Sequence, residues 1–237
     1  MQHQSSITNS TNMDEERYPD WLGYPVTLIG TGGIGSTLAA LFARAGVRQL
    51  ILWDYDKVEA KNLQMQNFDE TDIGRLKVSV VRKRILAINS KIDVVMQARK
   101  FTNFDVLDGL VVSAVDSIES RTAIFEAVQK QKERVSLFVD GRLTRKGDFL
   151  EVYCIDPNSD EETEYYKASL FDPGKALKSP RADCMTAHVP YMLSGLIGKA
   201  LADWAEGGCY PCKVTYDAKV QHIERYLVRG KTGGPLQ

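Results

Sequence analysis

The chain has 237 residues, 43% of them hydrophobic and 26% charged, with 30 basic side chains against 31 acidic ones. This is the composition of an ordinary globular protein with one large core, and its near-neutral balance argues against a nucleic-acid-binding or membrane-surface role. No apolar stretch approaches the roughly 20 residues that span a bilayer, and four cysteines in a chain of this length do not make a disulfide scaffold.

The opening residues, MQHQSSITNSTNMDEERYPD, are polar and lack the apolar core of a signal peptide. They read as a flexible N-terminal segment (1–20) of a cytoplasmic protein, with 21–237 forming the folded domain. PVTLIG (25–30) is a short apolar run ending in glycine. IGSTLAALFARAG (34–46) follows with helical spacing and a terminal Gly, and QLILWD (49–54) is a second buried strand. Strand, glycine turn, helix and strand make a βαβ unit, which requires a parallel sheet covered by helices. The pattern continues with a helix at 75–89, strands near 92–97 and 109–115, a helix at 118–132 and a strand at 134–141. GDFLEVYCI (147–155) alternates and fits an antiparallel neighbour. The segment 156–185 is polar and proline-containing and reads as a long loop with one short helix. A helix over 189–208 stops at Gly-Gly, and two short strands near 213–217 and 223–228 finish the chain. The fold class is therefore α/β: a doubly wound, Rossmann-like, mostly parallel sheet with helices on both faces and antiparallel strands added at its C-terminal side. VRKRI (81–85) reads as the solvated face of a helix.

Gly30-Thr31-Gly32-Gly33-Ile34-Gly35 fits G-x-G-x-x-G between a strand and a helix. Glycines there let phosphates approach the backbone, and the free N–H groups of a helix N-terminus face the anion. Asp54 ends the next strand, 19 residues after Gly35, where a carboxylate can take ribose hydroxyls. Turn and acid together suit NAD as well as ATP. The next segment favours ATP, because a dehydrogenase needs no polar cluster directly after the ribose acid. Asp56, Asn62, Gln64 and Gln66 follow within a dozen residues, Lys77 stands near the start of a helix, and Asp116 ends a strand. Activating a carboxylate with ATP takes a cation for the phosphates, a Mg²⁺ ligand and donors around the α-phosphorus. Lys77 can supply the first, Asp116 the second and Asn62 a neutral donor. Lys77 could equally be a solvated helix residue, and Asp116 could simply cap the helix at 118–132.

GTGGIGS, AGVRQLILWDYDKVEAKNLQMQ, GRLKV, INSKIDV and VVSAVDSIESR, in this order and spacing, resemble the MoeB/ThiF/HesA family, relatives of the enzymes that activate ubiquitin and ubiquitin-like proteins. The resemblance runs from about Val26 to Trp204. It implies adenylation, by ATP with Mg²⁺, of the C-terminal glycine of a small β-grasp carrier protein. It further implies Gly32 and Gly35 at the phosphate turn, Asp54 at the ribose, Asn62 and Gln66 in the polar loop, Lys77 at the phosphates, and Asp116 at Mg²⁺ and the reacting phosphate. Family architecture also gives the 138–153 strand pair and the 156–185 loop a place in the groove for the carrier's tail.

The family's loop usually reads Asn-Leu-x-Arg-Gln, whereas this chain has Asn62-Leu63-Gln64-Met65-Gln66. Losing a charge-assisted hydrogen bond forfeits about 1.5–3 kcal/mol, or roughly ten- to a hundredfold in rate if the bond exists only in the transition state. The resemblance also brings a homodimer in which an N-terminal arginine of one copy serves the other, and Arg17 is the candidate. Many relatives hold Zn²⁺ with two Cys-x-x-Cys pairs. Here there is one, Cys209 and Cys212, with Cys154 and Cys184 isolated, which falls short of a four-cysteine site. Cys184 stands just before a helix and resembles the position of a thioester cysteine, where a helix N-terminus lowers a thiol's pKa. Its other reading is a small buried residue. His3, His188 and His222 form no metal spacing.

Three further readings follow from the same residues. The first is activation of a small carboxylate on tRNA, as in relatives that dehydrate threonylcarbamoyladenosine. The second is a partner subunit that has lost catalysis at Met65. The third is a NAD oxidoreductase, which would lack an evident acid or base.

Overall fold

The apolar runs of the sequence lie side by side and parallel. In the computed structural model, which describes residues 23–143, 149–170, 187–207 and 210–227, β1 (Val26–Ile29) is flanked by β2 (Gln49–Trp53) and β4 (Gly109–Ser113). Strand β3 (Asp93–Gln97) lies outside β2, and β5 (Val135–Leu143) outside β4. Chain order therefore reverses between β1 and β4. That is the switch point at which open α/β sheets leave a crevice beyond the strand ends. Strands β6 (Phe149–Ile155), β7 (Lys213–Asp217) and β8 (His222–Tyr226) continue the same eight-stranded sheet antiparallel. This is the doubly wound, Rossmann-like sheet expected, with its antiparallel extension on the C-terminal side.

Both faces of the inner parallel strands β1 and β4 are covered, which explains why these read as apolar runs rather than alternating, while the edge strand β3 is largely exposed. Helices α1 (Gly33–Ala45), α2 (Lys77–Ile88) and α5 (His188–Ala205) pack with Val26, Leu28, Leu50, Leu52, Leu110 and Val112. Helices α3 (Ile118–Lys130) and α4 (Asp160–Ala168) cover the other face over Ile29, Val111 and Phe138. On this second face Tyr166 is fully buried, its ring centroid 4.6 Å from that of Phe125, 5.2 Å from Phe138 and 5.4 Å from Tyr153. Ring pairs at such spacing add about 0.5–1.5 kcal/mol each beyond their buried area.

Local chemistry sets the helix ends. Helix α1 stops at Gly46, whose φ of 87° allows its N–H to reach the Phe42 carbonyl. Helix α4, the short helix expected within 156–185, is capped by the Ser159 hydroxyl and carries Asp160, Glu161 and Glu162 in its first turn. Acids there complement the helix dipole. Helix α5 opens at His188, one residue earlier than expected, with Pro190 in its first turn, where its missing N–H leaves no intrahelical bond unmade. Among the described residues no helix is long and apolar enough to cross a membrane. The expected N-terminal segment lies outside the described residues.

Candidate nucleotide site

The glycine turn sits between β1 and α1, at the switch point. Gly30 has φ 92°, and a Cβ there would lie 2.6 Å from the Ala114 carbonyl oxygen. A Cβ on Gly35 would overlap the Gly30 carbonyl. These two glycines are demanded by the chain's own packing. Gly32 and Gly33 differ, since a Cβ would only come within 3.7 Å of Gln66 Nε2 or 3.6 Å of Pro190 Cγ, ordinary contact distances. Nothing among the described residues requires glycine at either, so the room above them is what a closely approaching ligand would use.

Asp54 ends β2 half-buried against this turn. Its Oδ2 accepts from Thr31 N (2.8 Å) and Thr31 Oγ1 (3.0 Å), and its Oδ1 accepts from Asp56 N (2.9 Å). A carboxylate has about four acceptor sites, so one stays open for a ribose hydroxyl while the others fix the turn.

After Asp56 the chain folds back as a loop stitched to the start of α2. Val58 N donates to Arg75 O, Gly74 N to Val58 O, and Lys77 N to Asp56 O. Lys77, 7% exposed, is therefore held by its backbone, and its Nζ donates to Asp56 Oδ2 at 2.9 Å. Asn62 is buried in a reciprocal cap: its Oδ1 accepts from Glu59 N at 2.8 Å, and no hydrogen bond among the described residues uses its Nδ2. Gln66 lies beside Gly32, its Oε1 buried and without a hydrogen-bond partner among the described residues. Its Nε2 is the amide atom nearest the Gly32 Cβ position, at 3.7 Å. The loop's far side is tied down twice, by Asn67 N donating to Ser36 Oγ (2.9 Å) and by Arg84 Nη1 donating to Asn67 Oδ1 (3.1 Å). Arg84 is in turn paired with Asp69 and Asp72. Met65 faces Gly33 through its backbone carbonyl, which is 3.7 Å from the Cβ position.

Asp116 follows β4 and is exposed. It does not cap α3. Ser117 does, its hydroxyl oxygen accepting from Ser120 N at 3.1 Å. Among the described residues Asp116 makes no hydrogen bond or ion pair. Its turn adjoins the glycine turn, since Ala114 and Val115 are the atoms a Cβ on Gly30 would meet. The structure thus ties Asp54 to the glycine turn through Thr31, sets Gln66 beside Gly32 with its N–H on the Asn62 carbonyl, pairs Lys77 with Asp56, and brings the turn before Asp116 against Gly30. Arg17, Cys184 and Cys209 lie outside the described residues. Cys212 is buried in the α3/α4-side core, and among the described residues no group of three or more His, Cys, Asp or Glu could hold a metal ion.

Sequence reasoning did not reach one buried ionic cluster. Arg121 on α3 donates to Asp140 Oδ1, to the Gly141 carbonyl (3.2 Å) and to the Val115 carbonyl. Asp140 Oδ2 accepts from Arg142 Nε (2.6 Å) and Tyr166 OH (2.9 Å). Burial, with the Asp140 carboxylate second, holds the Tyr166 hydroxyl well above the usual phenol range, so it remains a donor. Both arginines stand in sequence as ordinary charged residues, and only the topology brings β5 beside the start of α3.

Fold and site define a class of protein first: a doubly wound α/β protein with a glycine turn and an acid-terminated second strand at its switch point. The sequence profile of the ThiF family matches residues 5–220, and the chain belongs to that family. Ubiquitin-like modifier-activating enzyme 5 of Caenorhabditis briggsae is 32% identical over 124 residues, which cover 46% of this chain and 29% of that relative. The enzyme of the same name from Culex quinquefasciatus is 37% identical over 116 residues, 42% of this chain and 29% of the relative. The matches thus take in less than a third of the length of these curated relatives. Among solved structures, E. coli MccB with AMPCPP and MccA superposes with a TM-score of 0.66 at 18% identity, covering 91% of this chain and 66% of that one. PaaA superposes with a TM-score of 0.70 at 16% identity, covering 89% and 66%. At such identities these likenesses show the shared fold.

Proposed function

We propose that this chain is an ATP-dependent adenylyltransferase that activates the C-terminal carboxylate of a small ubiquitin-like or sulfur-carrier protein of the β-grasp type. The observation that carries the reading is Asp116: an exposed carboxylate with no partner among the described residues, in the turn that follows β4 and adjoins the glycine turn. Membership of the ThiF family supports it, as do the names of the curated relatives. An MccB structure solved with ATP shares the fold, with a TM-score of 0.64.

In this reading the phosphates lie over Gly32 and Gly33 and receive the N–H groups at the start of α1. Asp54 takes the ribose. Lys77, pre-positioned by Asp56, meets phosphate oxygens, and Asn62 Nδ2 and the Gln66 amide donate to them. Asp116 would hold a magnesium ion, which when bound neutralises phosphate charge. A carboxylate oxygen of the carrier's last residue attacks the α-phosphorus. The new O–P bond forms an acyl adenylate as the α–β bridging P–O bond breaks, and its electron pair leaves with pyrophosphate. Cys184 then supplies a thiolate that displaces AMP and forms a thioester, and Arg17 completes the site of a partner copy in a homodimer. The domain spans 21–237, and the protein works in the cytoplasm. The balanced charge supports a protein carrier over tRNA as the substrate.

The test is to incubate the protein with ATP and Mg²⁺ and a set of β-grasp proteins ending in glycine, then to read intact masses. AMP added to a carrier C-terminus, and a reducible adduct on the enzyme lost in Cys184→Ser, are the expected products. Folded, ATP-binding protein that modifies no carrier would instead favour the reading of a partner subunit, for which the absent loop cation at Met65 is the specific observation.

A further inference from the structure

We propose that Arg121 is a positioning residue that sets the Asp116 turn for metal-dependent nucleotide binding, an inference that rests on the role proposed for Asp116. Arg121 is 6% exposed and spends its guanidinium on two places at once. Nη2 donates to the carbonyl of Val115, the residue before Asp116, and Nη1 donates to Asp140 Oδ1 and the Gly141 carbonyl on β5. Strand β5 is the direct neighbour of β4, with Asp140 opposite Ser113. One side chain therefore ties the turn leaving β4 to the adjacent strand. On the other side of Asp116, Ser117 is fixed as the cap of α3. Asp116 is thus held by the residues before and after it, while its own carboxylate is engaged by nothing among the described residues.

The cluster behind this clamp is built in a way that folding alone does not call for. Arg121 and Arg142 share one carboxylate, with side chains 7%, 13% and 0% exposed for Arg121, Arg142 and Asp140. Two guanidinium groups on one carboxylate leave a surplus buried positive charge. Burying charge is costly, and well-packed apolar side chains commonly stabilise a fold as well or better. Arg142 is secured by Ser169 in the turn that ends α4 (Nη2 to Oγ, 2.9 Å) and lies 4.3 Å from the Tyr153 ring centroid. Tyr166 OH adds a third donor to Asp140. These contacts keep Asp140 in place so that Arg121 can hold Val115. A lysine at 121 would keep the charge on Asp140 but lacks the fork that also reaches the Val115 carbonyl.

The experiment is a Mg²⁺ titration of fluorescent ATP-analogue binding to the full chain, with thermal unfolding of each variant alongside. For Arg121→Lys we expect the Mg²⁺ concentration at half-saturation to rise roughly tenfold, the weight of one charge-assisted hydrogen bond, with nucleotide binding in the absence of metal unchanged. Asp116→Asn should raise it at least as far, and the double variant should be no worse than Asp116→Asn alone, because Arg121 acts through Asp116. Tyr166→Phe, which removes only a hydroxyl from Asp140, should give a smaller rise and decides the matter if Arg121→Lys does not fold. Wild-type Mg²⁺ dependence in folded Arg121→Lys, or effects of the two substitutions that add in full, would overturn the proposal and leave Arg121 a purely structural role. Nucleotide binding that is independent of metal in the wild type would remove the role of Asp116 itself. No nucleotide binding at all would remove the proposed function.

Discussion

Nζ of Lys77 lies 2.9 Å from Oδ2 of Asp56, with the lysine side chain 8% exposed and the aspartate 50% exposed. A buried ammonium needs a partner, and the partner chosen is one that water can replace. The pair gives Lys77 a counter-ion without walling it off, so in the proposed reading an incoming phosphate can share or take the cation.

Asp56→Ala should therefore cost about 1–2 kcal/mol, moderated by the exposure of the carboxylate. ATP should then raise the unfolding temperature of the variant by more than it raises that of the wild type, because its phosphates give Lys77 back an anion. Thermal unfolding with and without ATP measures both. Equal increments in the two proteins would mean that Lys77 does not meet the nucleotide.

The glycine turn separates packing from binding. Gly35→Ala drives a Cβ into the Gly30 carbonyl and should prevent stable folding. Among the described residues Gly32→Ala meets nothing closer than 3.7 Å, and it should fold with a near-wild-type unfolding temperature while losing most nucleotide affinity. Circular dichroism with equilibrium ATP binding distinguishes them. A Gly32→Ala protein that binds ATP like the wild type would place the phosphates elsewhere.

Much of this architecture was legible in the sequence because the signals were local and strong. Each parallel strand is a short apolar run bounded by a turn, and α1 is announced by Gly-rich spacing before it and Gly46 after it. The positions of the candidate residues were legible where they follow a strand, as Asp54 and Asp116 do, or open a helix, as Lys77 does. The alternative reading of Asp116 as the cap of α3 fails by one residue, because Asp116 and Ser117 are both good capping types and only the backbone decides between them. The Thr31–Asp54 contact, Arg84 on Asn67, and Arg121 with Asp140 were not legible. Each joins residues 17 to 23 positions apart, and their meeting is a product of strand order rather than of any periodicity.

Met65→Arg tests what the loop gave up. The Met65 backbone already faces Gly33, and Arg84 is occupied by Asp69 and Asp72. An arginine at 65 should thus raise the adenylation rate by about ten- to a hundredfold if it reaches the transition state. Steady-state kinetics of pyrophosphate release measures it. An unchanged rate would show that another group already supplies the charge.

A pH prediction concerns the loop after β3, which packs beside the end of β2. Arg99 pairs with Asp105 (Nη2 to Oδ1, 2.5 Å) and lies 4.5 Å from the Trp53 ring centroid. The side-chain hydrogen bond from Arg99, joined by the Thr102 backbone and hydroxyl donors, holds the Asp105 carboxyl below the usual range. A depressed folded-state pKa contributes stability that is complete above the unfolded value, about 3.9, and is lost as pH falls through the folded value. Asp105→Asn should therefore narrow its stability deficit against the wild type only below about pH 4. Urea unfolding from pH 3 to pH 7 checks this, and a deficit that already shrinks between pH 7 and pH 5 would contradict it.

The central claim is tested most directly by carrier-dependent exchange of labelled pyrophosphate into ATP, measured for the wild type, Lys77→Met and Asp116→Asn, each verified as folded. The predicted result is exchange by the wild type that requires a β-grasp carrier ending in glycine, with a loss of at least a hundredfold in either variant, as expected when a charge acting on the reacting phosphates is removed. Exchange that persists undiminished in both variants would contradict the account.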